Sequence, residues 1–268
     1  MIADTLMAFN KIVAKIHYIN YNNYDIYVCN LQGGLEMKYN RVLLKLSGEA
    51  LAGAKGHGLD LETTKQVAAQ VKKAHDLGIQ IAIVIGGGNF WRGRSSGEMD
   101  RVKADQIGML ATVMNCLYVS EIFKGEGMDS SVYVPYPVGL YAEVFNKDKA
   151  IRDLEAGKLV FFAGGTGHPF FSTDMATALR AIETDCDMVL MAKSIDGVYD
   201  DDPKTNPNAK KYDSMSYQEI LAKNLKVIDL PAASLLMENH VPAKLFALYE
   251  KDSIIRVVQG ENIGTTIE

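Results

Sequence analysis

Val42-Leu43-Leu44-Lys45-Leu46-Ser47-Gly48-Glu49-Ala50 is the stretch that decides the fold of this chain. Its apolar part is typical of a buried strand, and its lysine stands at the carboxyl end of that strand, before a turn of small residues. A buried ammonium group is costly unless an anion meets it, and a Ser-Gly turn leaves backbone N–H groups that can approach the anion. The stretch therefore predicts a phosphate site at the end of a parallel strand. The alternative is an edge strand whose lysine points to water.

A second glycine-rich strand end follows one helix later. Asp60 can cap a helix that runs to about Leu77, and residues 80–85 are almost continuously apolar, as in a parallel strand covered on both faces. A strand–helix–strand unit of this length is a right-handed crossover, so both strand ends open on the same edge of the sheet. The second strand ends in Gly86-Gly87-Gly88-Asn89, and Arg92 follows with a guanidinium group that suits phosphate oxygens. A flexible turn with a surface arginine is the alternative.

A long apolar helix is predicted from about Arg101 to Lys124. Its apolar residues cover more than one face, which indicates burial on both sides and suggests a subunit interface. Asp105 lies in its first turns and would point back toward the glycine loop. There it could accept hydrogen bonds from ligand hydroxyls, or it could simply be an acid favoured by the helix dipole.

The third strand end carries the longest loop of this kind. A strand at 159–162 continues into Ala163-Gly164-Gly165-Thr166-Gly167-His168-Pro169-Phe170-Phe171-Ser172-Thr173-Asp174, and Ser172 or Thr173 can cap the helix that follows. Hydroxyls, aromatic rings and a helix N-terminus in one span could hold an anion and stack a planar base. A plain connection is the alternative, although this loop is unusually long and glycine-rich for one.

The rest of the chain completes an α/β pattern. Residues 188–192 are a fourth apolar strand, Asp196-Gly197 is a turn signal, and Tyr199 with Asp202 could pack beside a nucleotide. The acidic run that includes Asp202 would ordinarily be a solvated loop, and residues 204–211 are predicted to be a mobile excursion. Further helices are predicted at 146–156, 216–223 and 231–239, and further strands at 131–134, 243–248 and near Thr265.

The composition limits the class of protein. The 268 residues are 48% apolar and carry 28 Lys+Arg against 33 Asp+Glu, a net charge of -5. This mild acidity, without a basic stripe, argues against a nucleic-acid-binding scaffold. Cys29, Cys116 and Cys186 are odd in number and far apart, which favours a reducing, cytosolic setting without structural zinc. No apolar run is expected to be long enough to cross a membrane.

Residues 1–36 differ from everything after them. They are rich in Tyr, Asn and Ile and have neither the apolar region nor the cleavage site of a signal peptide. Such a composition is what AU-rich sequence upstream of a gene would encode, so we expect translation to start at Met37 and a single domain to span 37–268. A real amphipathic or disordered arm is the alternative.

Five blocks of the sequence, in this order, resemble those of the bacterial uridylate (UMP) kinases, which have the amino acid kinase fold. They are Lys45-Leu46-Ser47-Gly48-Glu49-Ala50, Gly86-Gly87-Gly88-Asn89 with Arg92-Gly93, Gly108-Met109-Leu110-Ala111-Thr112-Val113-Met114-Asn115, Gly165-Thr166-Gly167-His168-Pro169-Phe170-Phe171 and Asp196-Gly197-Val198-Tyr199. The resemblance covers 37–268 and not 1–36. It implies a three-layer αβα sandwich around a mainly parallel sheet, with the UMP half toward the N-terminus and the ATP half toward the C-terminus.

The resemblance also implies a function. ATP and UMP would give ADP and UDP, with Mg²⁺ accompanying ATP, in pyrimidine nucleotide (CTP) biosynthesis. The enzyme would be a cytoplasmic homohexamer regulated by GTP and UTP. The resemblance implies neither a nucleic-acid nor a membrane partner, and no protein residue as a metal ligand.

The site residues of the family carry over position by position. The catalytic residues would be Lys45, Arg92 and Asp174, the last as an acid that orients the lysine. ATP would contact Lys45, Leu46, Ser47, Gly48, Gly88, Arg92, Lys193, Tyr199 and Asp202. UMP would contact Gly87, Asp105, Thr166, Gly167, His168, Pro169, Phe170, Phe171, Ser172 and Thr173. The GTP effector region would be Gly53, Ala54, Lys55, Gly56, His57 and Gly58.

Two positions depart from the family pattern. Ala192-Lys193-Ser194 stands where many relatives have a threonine, and His168 replaces the usual asparagine of the third loop. These departures leave open the ATP contact near Lys193 and the uridine contacts at His168.

Other functions remain alternatives. The same scaffold occurs in kinases of carbamate, amino acids and small phosphonates, against which Asp105 and the third loop argue. It also occurs in oxyanion-storage proteins, and a nucleotide sensor is a related alternative, but intact Lys45 and Arg92 favour catalysis. A Rossmann dehydrogenase is disfavoured because no G-x-G-x-x-G follows the first strand, and a P-loop kinase because G-x-x-x-x-G-K-[ST] is absent.

Overall fold

The computed structural model describes residues 39–92, 97, 99–203 and 205–268. The segment 1–36, the expected start at Met37 and Cys29 lie outside these residues, as do Gly93 and Lys204. Residues 39–268 form one compact unit.

A nine-stranded, mainly parallel sheet runs through the centre of this unit. The described residues contain eleven strands, of which nine form this sheet. They are β1 (Arg41–Leu46), β2 (Gln80–Ile85), β3 (Ser130–Val134), β4 (Glu143–Val144), β5 (Leu159–Phe162), β6 (Met188–Lys193), β7 (Val198–Tyr199), β8 (Lys211–Tyr212), β9 (Ser214–Met215), β10 (Ala243–Ala247) and β11 (Thr265–Ile267). The order across the sheet is β4-β3-β5-β2-β1-β6-β10-β11-β9, while β7 and β8 form a separate antiparallel ribbon. Every neighbouring pair in the large sheet is parallel except β10 and β11.

Strand β1 lies in the middle of the sheet, between β2 and β6. Leu44 pairs with Ile83 on one side and with Leu190 on the other, and the apolar side chains of β1 are buried. The edge-strand alternative is therefore wrong, because both sides of β1 are hydrogen-bonded to other strands. Lys45 stands near the carboxyl end of a central parallel strand, as predicted.

Eight α-helices lie in the described part of the chain and cover both faces of the sheet. They are α1 (Gly48–Leu51), α2 (Leu61–His75), α3 (Arg101–Gly125), α4 (Lys147–Glu155), α5 (Thr173–Glu183), α6 (Tyr217–Lys223), α7 (Leu230–Glu238) and α8 (Ser253–Val258). Alternate strand positions such as Leu43 and Val84 form one core with α4, α5, α6 and α7. Phe161 instead meets α3, where its ring lies edge-on to Phe123 at 5.8 Å between centroids. The predicted three-layer αβα sandwich is confirmed.

Local capping signals place the helix starts correctly. The Asp60 side chain accepts a hydrogen bond from the Thr63 N–H at 2.9 Å and caps α2. Ser172, rather than Thr173, caps α5, because its hydroxyl accepts from the N–H groups of Asp174 and Met175. These bonds satisfy backbone donors that have no partner within the helix.

The structure corrects three local predictions. The predicted turn of small residues after β1 is instead the short helix α1, followed by a 3₁₀ turn at Gly53–Lys55. Helix α2 ends at His75, two residues before the predicted end at Leu77. Helix α8 had no counterpart in the prediction, because six residues are too few for a clear helical period.

Helix α3 is long and apolar enough to cross a membrane by length and composition alone, contrary to the expectation that no segment would be. It packs against β2, β3 and β5 as a core helix of the sandwich. Its outward face nevertheless leaves Ile107, Leu110 and Met114 38%, 48% and 50% exposed. The prediction that α3 is buried on both sides therefore holds only for its inner face within the single chain.

Candidate active site

The loops at the carboxyl edge of the sheet enclose a cavity of about 640 Å³. They follow β1, β2 and β5, which are neighbours in the sheet, and the first turns of α3 form one wall. The lining residues are Lys45, Gly87, Gly88, Trp91, Arg101, Asp105, Gly108, Met109, Thr112, Gly165, Thr166, His168, Phe171, Ser172, Thr173, Asp174, Asn224, Leu225, Lys226, Ile228, Asp229 and Leu230. The sheet topology thus brings the three predicted strand-end loops to one place.

An ion pair between Lys45 and Asp174 lies in this cavity. The Lys45 Nζ atom is 3.0 Å from Asp174 Oδ1, and the two side chains are only 14% and 15% exposed. Burial would raise the pKa of Asp174, but the charges of Lys45 and Lys193 and a backbone hydrogen bond from Asp229 lower it below its usual value. Asp174 is therefore a carboxylate at neutral pH, facing the lysine.

Lys193 adds a second ammonium group near this pair. Burial, together with repulsion from Lys45, lowers the pKa of Lys193, and attraction to Asp174 offsets part of the shift. Its Nζ atom donates a hydrogen bond to the Val227 carbonyl oxygen, in the segment that joins α6 to α7. Two ammonium groups thus interact with the carboxylate of Asp174 next to the cavity.

Ser172 and Asp229 join the N-termini of α5 and α7. The Ser172 hydroxyl donates to Asp229 Oδ2, and Asp229 Oδ1 accepts from the Ala232 N–H at 2.8 Å and caps α7. The Asp229 N–H in turn donates to Asp174 Oδ2 at 3.3 Å. In this structure Ser172 therefore holds two helix ends together around the carboxylate of Asp174.

Asp105 connects α3 to the third loop. Both of its oxygens accept from Arg101 Nε at 2.9 Å, and Oδ2 also accepts from the Phe170 N–H at 2.8 Å. Phe170 has a φ of 72°, a conformation that costs a non-glycine residue about 1–3 kcal/mol. The carboxylate thus helps to hold the loop in a strained shape at the mouth of the cavity.

Thr112 makes a second link between α3 and the third loop. Its hydroxyl accepts from the Gly164 N–H at 2.8 Å and donates to the Met109 carbonyl at 2.7 Å. Gly164 has a φ of 76°, and a Cβ atom there would lie 2.8 Å from Pro135. Only glycine fits at this position, so the loop can lie close to the segment after β3.

The family pattern assigns twenty residues to catalysis, ATP or UMP, and ten of them line the cavity. They are Lys45, Gly87, Gly88, Asp105, Thr166, His168, Phe171, Ser172, Thr173 and Asp174. The other assigned residues are outside the lining, namely Leu46, Ser47, Gly48, Arg92, Gly167, Pro169, Phe170, Lys193, Tyr199 and Asp202. Arg92 is exposed and pairs with Glu49 of α1, and the Tyr199 hydroxyl donates to Asp196 Oδ1 at 2.8 Å.

The segment from Asn224 to Leu230 was not predicted to belong to the site. It reaches the cavity because α7 packs beside α5 and α6 packs against α7, contacts that no local pattern reveals. Asp229-Leu230-Pro231 does carry a helix-start signal, with an acid at the N-cap and a proline in the first turn. That signal predicts the start of α7 but not its position next to Asp174.

The region Gly53–Gly58 lies against the loop that follows β2. The Gly58 N–H donates to the Asn89 carbonyl at 3.0 Å, and the ring of His57 lies edge-on to Phe90 at 5.7 Å. Lys55 lies 3.5 Å from Asp60 and is largely exposed. This region is therefore outside the cavity but in contact with one of its loops.

Comparison with known proteins identifies a family and similar structures. Residues 40–248 match the model of the amino acid kinase family. The structure of a UMP kinase from Bacillus anthracis is similar to this chain, with 38% identity and a TM-score of 0.83 over 86% of this chain and 96% of that one. A UMP kinase from Ureaplasma parvum is 32% identical, with a TM-score of 0.80 over 85% and 98%. A uridylate kinase from Archaeoglobus fulgidus is 25% identical, with a TM-score of 0.64 over 85% and 99%.

The ion pair gives a pH-dependent prediction. The pKa of Asp174 in the folded protein lies below the ordinary 3.8. The stabilisation that the Asp174 charge gives the folded protein is therefore complete above about pH 3.8 and is lost as the pH falls through the folded pKa. Asp174→Asn should therefore lower the free energy of unfolding by about 3–5 kcal/mol at pH 7, because Lys45 loses its counter-charge. Urea unfolding at pH 7 and at pH 3 should show this difference shrinking in acid.

Asp76→Asn is the control for that measurement. Asp76 pairs with Lys72 on the surface of the protein, so its replacement should change stability much less at either pH. A loss for Asp174→Asn that is equal at pH 7 and pH 3 would contradict an ionised, stabilising Asp174.

Proposed function

The chain belongs to the amino acid kinase family, and we propose that it is a UMP kinase, which transfers the γ-phosphoryl group of ATP to UMP. One observation carries the proposal: the buried Lys45–Asp174 pair lies in a cavity formed by the three glycine-rich strand ends. Support comes from the UMP kinases of Bacillus anthracis and Ureaplasma parvum, which share this fold over almost their whole length.

Phosphoryl transfer demands alignment and positive charge around the transferred group rather than covalent chemistry. Lys45 supplies a positive charge within the cavity, and Asp174 keeps that ammonium group in place when no phosphate is bound. The backbone of Gly87 and Gly88 lies along the same wall. No general base is needed, because the attacking phosphate of UMP is already an anion.

Arg92 and Lys193 would add charge as ATP binds. Arg92 lies next to the glycine turn but pairs with Glu49, so it would have to exchange this carboxylate for a phosphate. Lys193 is held by the Val227 carbonyl, close enough to Asp174 for their charges to interact. The adenosine contacts proposed for Tyr199 and Asp202 lie on and after β7, outside the cavity lining.

Magnesium would enter with ATP and neutralise its phosphate oxygens. Within residues 39–92, 97, 99–203 and 205–268, no group of three or more His, Cys, Asp or Glu side chains could hold a metal ion. Asp174 and Asp229 are near the proposed phosphate site, but their oxygens already face Lys45, Ser172 and backbone N–H groups. We therefore propose that the phosphates of ATP provide most of the metal ligands.

The third loop would hold UMP. Thr166, His168 and Thr173 bring polar groups to the cavity and Phe171 brings a ring, which suits a nucleotide with a planar base. Ser172 is assigned to the UMP site by the family pattern, whereas its hydroxyl here bonds to Asp229. We propose that Ser172 acts mainly by holding this wall of the site.

We also propose the wider role that the family pattern implies. The product UDP would supply pyrimidine nucleotide (CTP) biosynthesis in the cytoplasm, and the buried free thiols of Cys116 and Cys186 fit a reducing compartment. GTP would act through Gly53–Gly58, a region that contacts the loop after β2, and UTP would be a second effector. Nucleic acids and membranes are not proposed as partners.

A homohexamer is the proposed assembly. Ile107, Leu110 and Met114 are spaced three and four residues apart on α3 and form an apolar stripe exposed in the single chain. Exposed apolar side chains in one continuous stripe are typical of a protein–protein contact. A second copy of the chain packed on α3 would bury this stripe.

An acceptor panel tests the proposed reaction. The full chain should release ADP from Mg-ATP with UMP as acceptor. Carbamate and aspartate should give much less ADP because the third loop and Asp105 are suited to a nucleotide, and CMP and dTMP should give much less because the proposal assigns the site to UMP. Turnover only with carbamate or aspartate would identify a different kinase of this family. A folded protein that binds ATP but uses none of the acceptors would favour a storage or sensor function.

Lys45→Met tests the charge in the cavity. The substitution keeps the length and the apolar stem of the side chain but removes its charge, so kcat should fall by about 100- to 1000-fold. The KM for UMP should change only a few-fold, because UMP would lie against the third loop. Lys72→Met, on the exposed surface of α2, should leave both constants unchanged. Equal losses in kcat and UMP binding would count against Lys45 as a catalytic group.

Met114→Glu tests the apolar stripe of α3. A charge placed in a buried contact is costly, so the mass measured by light scattering should fall below that of the wild-type assembly. Leu77→Glu replaces an equally exposed leucine on another surface and should leave the mass unchanged. A Met114→Glu protein that keeps the wild-type mass would place the subunit contact elsewhere.

A further inference from the structure

Asn89 and Asn115 form a buried pair of amides behind the cavity. Asn89 ends the glycine turn after β2, and Asn115 lies in the middle of α3. Their exposures are 1% and 0%, and neither lines the cavity. Two buried amides are costly unless every polar group is bonded, so their partners define what they do.

The two amides bond to each other in both directions. Asn89 Nδ2 donates to Asn115 Oδ1 at 3.0 Å, and Asn115 Nδ2 donates to Asn89 Oδ1 at 2.7 Å. Each amide nitrogen has a second hydrogen, which Asn115 donates to the Gly86 carbonyl at 2.7 Å and Asn89 to the Gly58 carbonyl at 2.7 Å. All four amide N–H bonds are therefore used, which fixes the orientation of both side chains.

The pair sets the distance between the two glycine turns proposed to hold the phosphates of ATP. A Cβ atom on Gly48 would lie 2.3 Å from both Asn89 Oδ1 and the Gly86 carbonyl oxygen. The Gly86 N–H also donates to the Leu46 carbonyl at 3.0 Å. The turn after β1 therefore rests directly on the amide pair and on the carbonyl that Asn115 holds.

Helix α3 holds the two sides of the cavity through different residues. Asn115 fixes the turns after β1 and β2, whereas Thr112 and Asp105 fix the third loop through the Gly164 and Phe170 N–H groups. The loss of Asn115 should therefore disturb the two glycine turns, which carry three residues assigned to ATP (Ser47, Gly48 and Gly88) and only Gly87 of those assigned to UMP, and it should leave the third loop in place. A purely structural role for Asn115 predicts no such difference between the two substrates.

We propose that Asn89 and Asn115 are positioning residues, which together hold the Ser47-Gly48 and Gly86-Gly87-Gly88 turns in register for the phosphates of ATP. This inference deepens the proposed phosphotransfer and rests on it. The amides do not touch substrate; they act through the backbone of the two turns.

Asn115→Ala is the first test. It removes both donors to Gly86 and Asn89, and misplacing a reacting group by about 1 Å can cost about 100-fold in rate. We expect a 10- to 100-fold loss in kcat and a raised KM for ATP, with a smaller rise in the KM for UMP, because Gly87 is the one UMP-assigned residue in these turns. Steady-state kinetics with each substrate varied in turn measures all three constants.

Val119→Ala is the matched control. Val119 lies one turn further along α3 and is fully buried, and its apolar side chain can form no hydrogen bond with either glycine turn. The control should lose thermal stability and keep the kinetic constants of the wild type. If Asn115→Ala and Val119→Ala give the same kinetic constants, the positioning role is wrong.

A double-mutant cycle tests whether the two amides act as a unit. Asn89→Ala and Asn115→Ala should each reduce kcat, and the double variant should be little worse than either single one, because each change by itself removes both hydrogen bonds between the two amides. Multiplicative losses in the double variant would show two independent residues and overturn the paired role.

Calorimetric binding of ADP separates this inference from the proposed function. If the wild-type chain does not phosphorylate UMP, the proposed function fails, while the turns still bind the phosphates of ADP. Asn115→Ala should then weaken ADP binding at least tenfold and Val119→Ala should not. Unchanged ADP affinity in Asn115→Ala would overturn the inference whatever the acceptor is.

Discussion

The site depends on an ammonium group and a carboxylate that face each other at the end of a central strand. Burial would raise the pKa of Asp174, but the charges of Lys45 and Lys193 and the backbone hydrogen bond from Asp229 lower it, so the carboxylate stays charged. Charges in such a position need a rigid surrounding, since removing one partner leaves the other buried and uncompensated. Two interior strands fix Lys45, and the bonded ends of α5 and α7 fix Asp174.

Helix α3 provides much of that rigidity, because it bonds to the glycine turn after β2 and to the third loop. Asp105, Thr112 and Asn115 bond to the third loop and to the glycine turn after β2 from one side of the helix. The stripe of Ile107, Leu110 and Met114 remains exposed in the single chain. A helix whose inner residues hold a site and whose outer residues can bind a second copy would link assembly to the geometry of the site.

Much of the fold could be predicted from the sequence because its signals are local. Residues 41–46 and 80–85 have the apolar composition of covered parallel strands, and Asp60 and Ser172 cap helices in the structure as their side chains suggest. Parallel strands joined by a helix must end on one edge of the sheet, so the first two glycine-rich strand ends could be placed on the same edge in advance. Short elements such as α1 and α8 gave no period to detect.

The sequence by itself determined the class of the fold, the strand ends that carry the site and the residues that repeat the family blocks. Only the tertiary structure decided that Asp229 meets Ser172 across 57 residues, that Asn89 meets Asn115, and that Arg92 lies with Glu49 outside the cavity. The physical reason is the distance along the chain over which each kind of signal acts. Periodicity and capping act over a few neighbouring residues, whereas these contacts depend on the order of strands in the sheet and on which helices pack side by side.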